Sequence, residues 1–339
     1  MAAADLITRI PLNTLAIPLG LAGLADIWSD STAALALPAV VGQMFWIIAA
    51  IGWLGMITAH LVRGHRSTAT LGSQLRHPVQ GPLASLVPLV GMLLADDLHA
   101  YLPIAGVVLG VASISVSTLF AGWLVSTWTT GELHWESLHG GYFLPTVAAG
   151  YIASYTAATL GSRSIAIGAF VVASFFWVAL FTLLIARLAF RPSLPAPLLP
   201  TLAILMAPPA VAARAWFAIA GNNPNEVQDA LAALAVVLVI VEGGILRRYL
   251  RLSFSLGFWS FTFPVAAMAD LAVAWLNLER PAGWQIVVVA LVVGVTALVA
   301  AIGVRSVGLW LGGRTLSAEA QLTRADDLIA PRAQEAASR

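Results

Sequence analysis

Ten stretches of about 20 mainly apolar residues, each long enough for a helix to cross the hydrocarbon core of a bilayer, follow one another along this chain. Inside hydrocarbon a backbone must satisfy its own hydrogen bonds, so runs of this length read as helices. Breaks at charged or Pro/Gly-rich positions place the runs near residues 10–29, 38–62, 82–98, 102–127, 140–160, 164–188, 200–220, 228–246, 254–276 and 284–309. The expectation is an all-α membrane protein of five helical hairpins, with a transmembrane domain over residues 1–312 and a short hydrophilic tail over 313–339. Composition agrees: 10% of the residues are charged, against roughly 25% in soluble domains. The opening "MAAADLITR" is too short and too polar for a cleavable signal, so Met1 reads as the mature start.

All 17 basic residues are arginine and 16 residues are acidic, a net charge of +1 that gives no reason to propose a nucleic-acid partner. The chain has no cysteine, which excludes disulfides, thiol catalysis, cysteine-ligated metals and iron–sulfur clusters. The placement of the arginines says more. With ten crossings, one side carries Arg9, Arg63, Arg66, Arg76, Arg187, Arg191, Arg247, Arg248, Arg251, Arg305, Arg314, Arg324, Arg332 and Arg339. The other side carries Arg163 and Arg280, while Arg214 falls within a span. By the positive-inside rule both termini are expected in the cytoplasm, and the chain in a bacterial-type inner (plasma) membrane.

A repeat runs through the odd-numbered spans. Pro18, Pro88, Pro145, Pro208 and Pro264 each sit well inside one of them, and the central parts of the even spans have none. Proline deletes a backbone donor and bends a helix, and in lipid the freed carbonyl needs a protein or aqueous neighbour. Runs rich in glycine and alanine follow each proline and favour close helix packing. Together these features predict five bent inner helices around a narrow path, enclosed by five straighter, bulkier outer helices in quasi-fivefold arrangement.

The proline-bearing hairpins, the opening "IPLNTLAIPLGLAGL", the "RHP" at residues 76–78 and above all "FWSFTFP" at 258–264 resemble the tellurite-resistance and C4-dicarboxylate transporter family, which includes the plant guard-cell slow anion channels. The likeness extends over about residues 10 to 310. It implies ten transmembrane helices with a pore through each protomer, a phenylalanine of the ninth helix occluding that pore, a homotrimer, and small inorganic or organic anions as partners beside the lipid bilayer.

At about 100° per residue, Phe254, Phe258 and Phe261 share one stripe of the ninth span and Phe263 lies on the opposite face, with Ala267, Asp270 and Ala274. Three rings in a row suit packing against other helices. A lone ring among small residues has two readings, a space-filling core aromatic or a plug in a hydrophobic constriction. The resemblance points to the plug, with Phe263 as the first choice and Phe261 as the second.

Ionisable residues inside spans are costly and therefore functional candidates. Arg214 could offer a permanent charge to an anion or serve as the buried partner of Asp26, Asp96, Asp97 or Asp270. Asp26, Asp96 and Asp97 are expected to face water near helix ends. Asp270, on the same face as Phe263, would repel an anion unless paired or protonated. Glu242 is expected to pair with Arg247 or Arg248. The "ELHWESLH" segment, with Glu132, His134, Glu136 and His139, lacks the spacing that sets two histidines on one helical face and reads as a loop. No metal site, cofactor site or catalytic constellation emerges. The leading functional reading is an anion channel for chloride-like or nitrate-like ions; the alternative is a proton-coupled carrier of C4-dicarboxylates or tellurite-type oxyanions.

Overall fold

The computed structural model describes residues 9–131, 133–221 and 225–311, so the tail at 313–339 and Glu132 lie outside the described residues. Apart from a five-residue helix at Leu71–Leu75, ten α-helices run in chain order among the described residues: α1 Ala16–Ala34, α2 Val40–His65, α3 Leu86–Tyr101, α4 Pro103–Thr129, α5 Ala149–Thr159, α6 Arg163–Phe190, α7 Ala207–Ala220, α8 Glu226–Tyr249, α9 Thr262–Glu279 and α10 Trp284–Leu311. Among the described residues, nine helical segments are long and apolar enough to cross a membrane. The fifth crossing departs from the expected continuous helix. It is built from a 3-10 turn Gly140–Phe143, a π-turn Leu144–Ala148 and then α5.

Each odd helix is preceded by 3-10 backbone: Leu12–Leu15, Gly81–Ser85, Gly140–Phe143, Ala196–Met206 and Leu256–Phe261. The prolines mark where that geometry relaxes to α. Pro18, Pro88 and Pro264 are the third residues of α1, α3 and α9, and Pro208 is the second of α7. Pro145 is the second residue of the π-turn. In the first turn of an α-segment the missing N–H has no partner four residues back within that segment, so proline is tolerated there. The prolines thus coincide with changes of helix type. Runs of 3-10 helix longer than three or four residues are uncommon, and the 11-residue run before α7 has seven of its residues buried against protein, where its freed backbone groups are shielded from lipid.

The odd helices close a ring. α1 packs on α3, α3 on α5, α5 on α7, α7 on α9, and α9 back on α1, while each even helix lies against the odd helix before it. The even helices carry the exposed apolar side chains, among them Ile51, Leu119, Phe175, Ile240 and Ile286, whereas the buried residues concentrate on the odd ones. Indole N–H groups tie the two rings together: Trp28 donates to Thr296 Oγ1 at 3.0 Å, Trp46 to Ser29 Oγ at 3.0 Å, Trp53 to the Val87 carbonyl at 2.9 Å and Trp259 to Ser306 Oγ at 2.9 Å. "RHP" secures the start of the third crossing. His77 Nδ1 accepts the N–H groups of Val79 and Gln80, and the Pro78 carbonyl accepts the Tyr142 hydroxyl at 2.7 Å.

The α1/α9 contact depends on glycine. A Cβ at Gly20 would run into Thr262 Oγ1 and lie 3.1 Å from Trp259 Cε3; one at Gly23 would lie 3.0 Å from Phe263 Cδ2 and 3.1 Å from Ala266 Cβ. Gly20→Val is expected to push α1 from α9 and to lower the thermal stability of the solubilised protein, at a cost of about 1–3 kcal/mol for overpacking. Gly168→Ala, where an added Cβ meets nothing within 4 Å, should leave the melting temperature unchanged or slightly higher.

Candidate functional site

Three cavities follow one another through the ring. The inner one, about 60 Å³, lies among the 3-10 segments and is lined by residues such as Asn13, Leu83, Leu86, Leu144, Ile204 and Ser260. The middle one, about 30 Å³, is flanked by Asp26, Tyr155, Arg214 and Asp270. The outer one, about 270 Å³, sits among the helix ends at Asp30, Ala34, Phe217, Asn277 and Leu278. Phe263 lines both the inner and the middle cavity, and Arg214 both the middle and the outer. One ring and one guanidinium thus stand at the two boundaries.

The lining repeats in register. Leu19, Leu89, Ala148, Ala207 and Phe263, one from each odd crossing, face the inner cavity. Four residues on, one helical turn higher, Gly23, Leu93, Ile152, Val211 and Ala267 face the middle cavity. Three residues beyond those lie Asp26, Asp96, Tyr155, Arg214 and Asp270. The first two levels are apolar and the third is charged. Phe263 is the sole aromatic residue of the first level, 8% exposed, with its ring edge over the bare backbone of Gly23.

The other rings of the ninth crossing go elsewhere. Phe254 and Phe258 have centroids 5.2 Å apart, Phe258 and Phe261 5.6 Å, and Phe261 packs edge-on against Tyr249 of α8 at 4.8 Å. A 100° wheel does not apply here, because residues 256–261 are 3-10. In that geometry residues i and i+3 eclipse, so Phe258 and Phe261 still share a stripe. The second-choice residue, Phe261, therefore faces α8.

Arg214 is held from two helices. Its Nη2 lies 2.5 Å from Asp30 Oδ2 of α1 and its Nε 2.9 Å from Asp270 Oδ2 of α9, while the guanidinium carbon sits 5.7 Å from the centre of the Tyr155 ring. Asp270 is the expected partner. Asp30, four residues after Asp26 and so on the same face of α1, was the missed one; that spacing was the available signal. Asp26 lines the middle cavity instead of facing water outside. Asp96 accepts the hydroxyls of Thr156 at 2.8 Å and Thr159 at 2.7 Å, tying α3 to α5.

The remaining candidates are structural. Glu242 accepts the Tyr249 hydroxyl at 2.7 Å, where an arginine partner was expected. His139 is buried, accepting the Gly141 N–H at Nδ1 and bonding the Val79 carbonyl through Nε2 at 3.1 Å. Among the described residues no group of three His, Cys, Asp or Glu side chains could hold a metal.

Removing one member of a buried charge cluster leaves its partners uncompensated, at a cost of about 3–5 kcal/mol. Arg214→Ala is expected to lower the melting temperature sharply, since Asp26, Asp30 and Asp270 then face one another. Adding Asp270→Asn should recover part of the loss, as differential scanning fluorimetry of the two variants will register.

Residues 9–307 match the family model described as the voltage-dependent anion channel, SLAC1. A tellurite resistance protein TehA homologue of Haemophilus influenzae is 27% identical over 274 residues, covering 79% of this chain and 82% of that protein. The S-type anion channel SLAH3 of Arabidopsis thaliana is 22% identical over 313 residues, 88% of this chain but 48% of the plant protein, so the chain spans about half the length of that relative. The family match takes in every odd helix, every cavity and both boundary residues, and this chain belongs to the SLAC1 voltage-dependent anion channel family.

Proposed function

We propose that the protein is an anion channel of a bacterial plasma membrane, with both termini cytoplasmic, in which small anions pass through each protomer and Phe263 closes the route until its ring is displaced. The observation that carries this reading is that Phe263, alone among the described residues, lines both the inner and the middle cavity. A ring in that place excludes water and so raises the barrier to a hydrated ion, as hydrophobic constrictions do. The level one turn above it, Gly23, Leu93, Ile152, Val211 and Ala267, is apolar and holds no side-chain group that would trap an ion. Arginines at the inner end supply a positive potential that concentrates anions there. Family membership and the names of the two relatives support anions as the cargo and speak against an enzyme. A homotrimer is the assembly we propose on the resemblance. Because each protomer carries its own route, conduction does not depend on it.

Phe263→Ala should raise anion current in voltage-clamped bilayers by an order of magnitude or more at unchanged protein density. Unchanged current would remove the ring from the mechanism. Gly23→Val acts on the same contact from the other side, since the added carbons need the volume that the ring occupies. It should shift the resting current in either direction, whereas an equivalent substitution at lipid-facing Gly303, with open space around it, should not.

The second reading is a proton-coupled carrier of C4-dicarboxylates or tellurite-type oxyanions. It is favoured by the compact site where Arg214 and Asp270 meet. The two readings part on one measurement. A channel current reverses at the Nernst potential of the anion whatever the pH gradient, and a coupled carrier shifts its reversal potential with that gradient.

A further inference from the structure

Outside the ring of odd helices, a further cavity of about 520 Å³ lies between α4 and α6, with the fifth crossing as its floor. Gly122 and Gly168 leave its mouth open, since a Cβ at either would meet nothing within 4 Å, and Ile165 and Val172 at its edge are exposed. This is a face that lipid bathes. Among the described residues no charged side chain lines it, and Phe176 is its one aromatic ring. Its floor is one helix thick: the same crossing presents Leu144 and Ala148 to the inner cavity and Ile152 to the middle one.

One side chain in that floor is ill suited to hydrocarbon. Thr146 lines the cavity from within the π-turn; the residue is 5% exposed, and its Oγ1 is buried with no hydrogen-bond partner among the described residues. Other hydroxyls of the crossings donate to the carbonyl four residues back, as Ser115, Thr118, Ser174, Thr182 and Thr296 do at 2.7 or 2.8 Å. A hydroxyl without that bond is costly where no water reaches. Threonine has two χ1 wells in helical backbone, and turning between them carries the hydroxyl to the cavity side. What satisfies it there must come from the membrane, be uncharged to match the lining, and offer an acceptor. Phospholipid ester carbonyls stop at the edge of the hydrocarbon core, whereas Thr146 lies six residues, about 10 Å, beyond the start of the crossing at Gly140. A carbonyl on the ring of a lipophile dissolved in the core reaches that depth. Ser117, buried on α4, brings a second hydroxyl to the same lining, and Phe176 a ring to pack against. We propose that this cavity binds an uncharged, lipophilic carbonyl compound of the quinone type, with a ring carbonyl accepting from Thr146 and the hydrocarbon tail leaving between α4 and α6. The proposal does not depend on what the central path conducts.

The test titrates full-length protein in nanodiscs of saturated phosphatidylcholine with decylubiquinone and reads the quenching of tryptophan fluorescence. A saturable component is expected above the linear, collisional one. Gly168→Leu sets its added carbons in the cavity and should abolish the saturable component, whereas Gly303→Leu, which also has open space but lies on α10, should retain it. Thr146→Val keeps the shape and removes the hydroxyl, and should weaken binding about fivefold, the effect of one hydrogen bond. Thr146→Ser, which keeps the hydroxyl, should bind as the unaltered protein does. Absence of a saturable component overturns the proposal, and so does one that Gly168→Leu leaves intact. Equal binding by Thr146→Val and the unaltered protein, or equal competition by decylcyclohexane, which has the tail without carbonyls, makes the cavity a cleft for lipid chains and overturns it as well. Oligomers that Gly168→Leu dissociates, with no quinone bound before the substitution, would assign the cavity to a second copy of the chain instead.

Discussion

A backbone inside a bilayer has no water to fall back on, and every departure from α geometry must be covered by the protein itself. In this chain those departures are gathered into one place. All five odd crossings begin in 3-10 backbone, and the fifth adds a π-turn. Each is shielded by the ring of odd helices and the even helices around it. The prolines at the points of transition, the glycines that let α1 and α9 approach, and the indole links between the rings all follow from keeping that irregular half of the ring dry outside and open within. The inner cavity lies inside it, so the segment least suited to lipid lines an enclosed space.

At the other half of the ring the balance changes from backbone to charge. Three aspartates, a tyrosine and one arginine occupy equivalent turns of the five odd helices. A single guanidinium held by two carboxylates acts as a brace between α1, α7 and α9. A brace of this kind is poor evidence for added stability, because the desolvation of three charges offsets much of their attraction. Its consequence is positional: it fixes Arg214 across the boundary between two cavities.

Much of this was legible in the sequence, and the failures have identifiable causes. Ten apolar runs and five prolines predict the hairpins and the inner ring, because lipid permits few alternatives. The isolation of Phe263 from Phe258 and Phe261 is also readable, although the reason is 3-10 eclipsing as much as a 100° wheel. The change of helix type at the prolines was not legible, since one missing N–H looks the same in sequence whether the backbone before it is 3-10 or α. The charged level was hidden by alignment on the prolines. Asp26 and Asp96 follow their prolines by eight residues but Arg214 and Asp270 by six, and the π-turn shifts Tyr155 further, so only three-dimensional register brings the five together. Asp30 escaped for a simpler reason: it lies just past the first apolar run at 10–29, where an acidic residue reads as a solvated helix end.

The claim on which the account turns is that one aromatic ring separates two spaces, and the absence of native cysteine makes it directly measurable. Ser260 lines the inner cavity and Ala267 the middle one. Single Ser260→Cys and Ala267→Cys proteins, treated with a charged, membrane-impermeant thiol reagent from one side at a time, should each react from one side alone, Ser260→Cys from the arginine-rich side. With Phe263→Ala added, each should react from both sides. Reaction from both sides while the ring is present, or protection that persists once it is removed, would contradict the account.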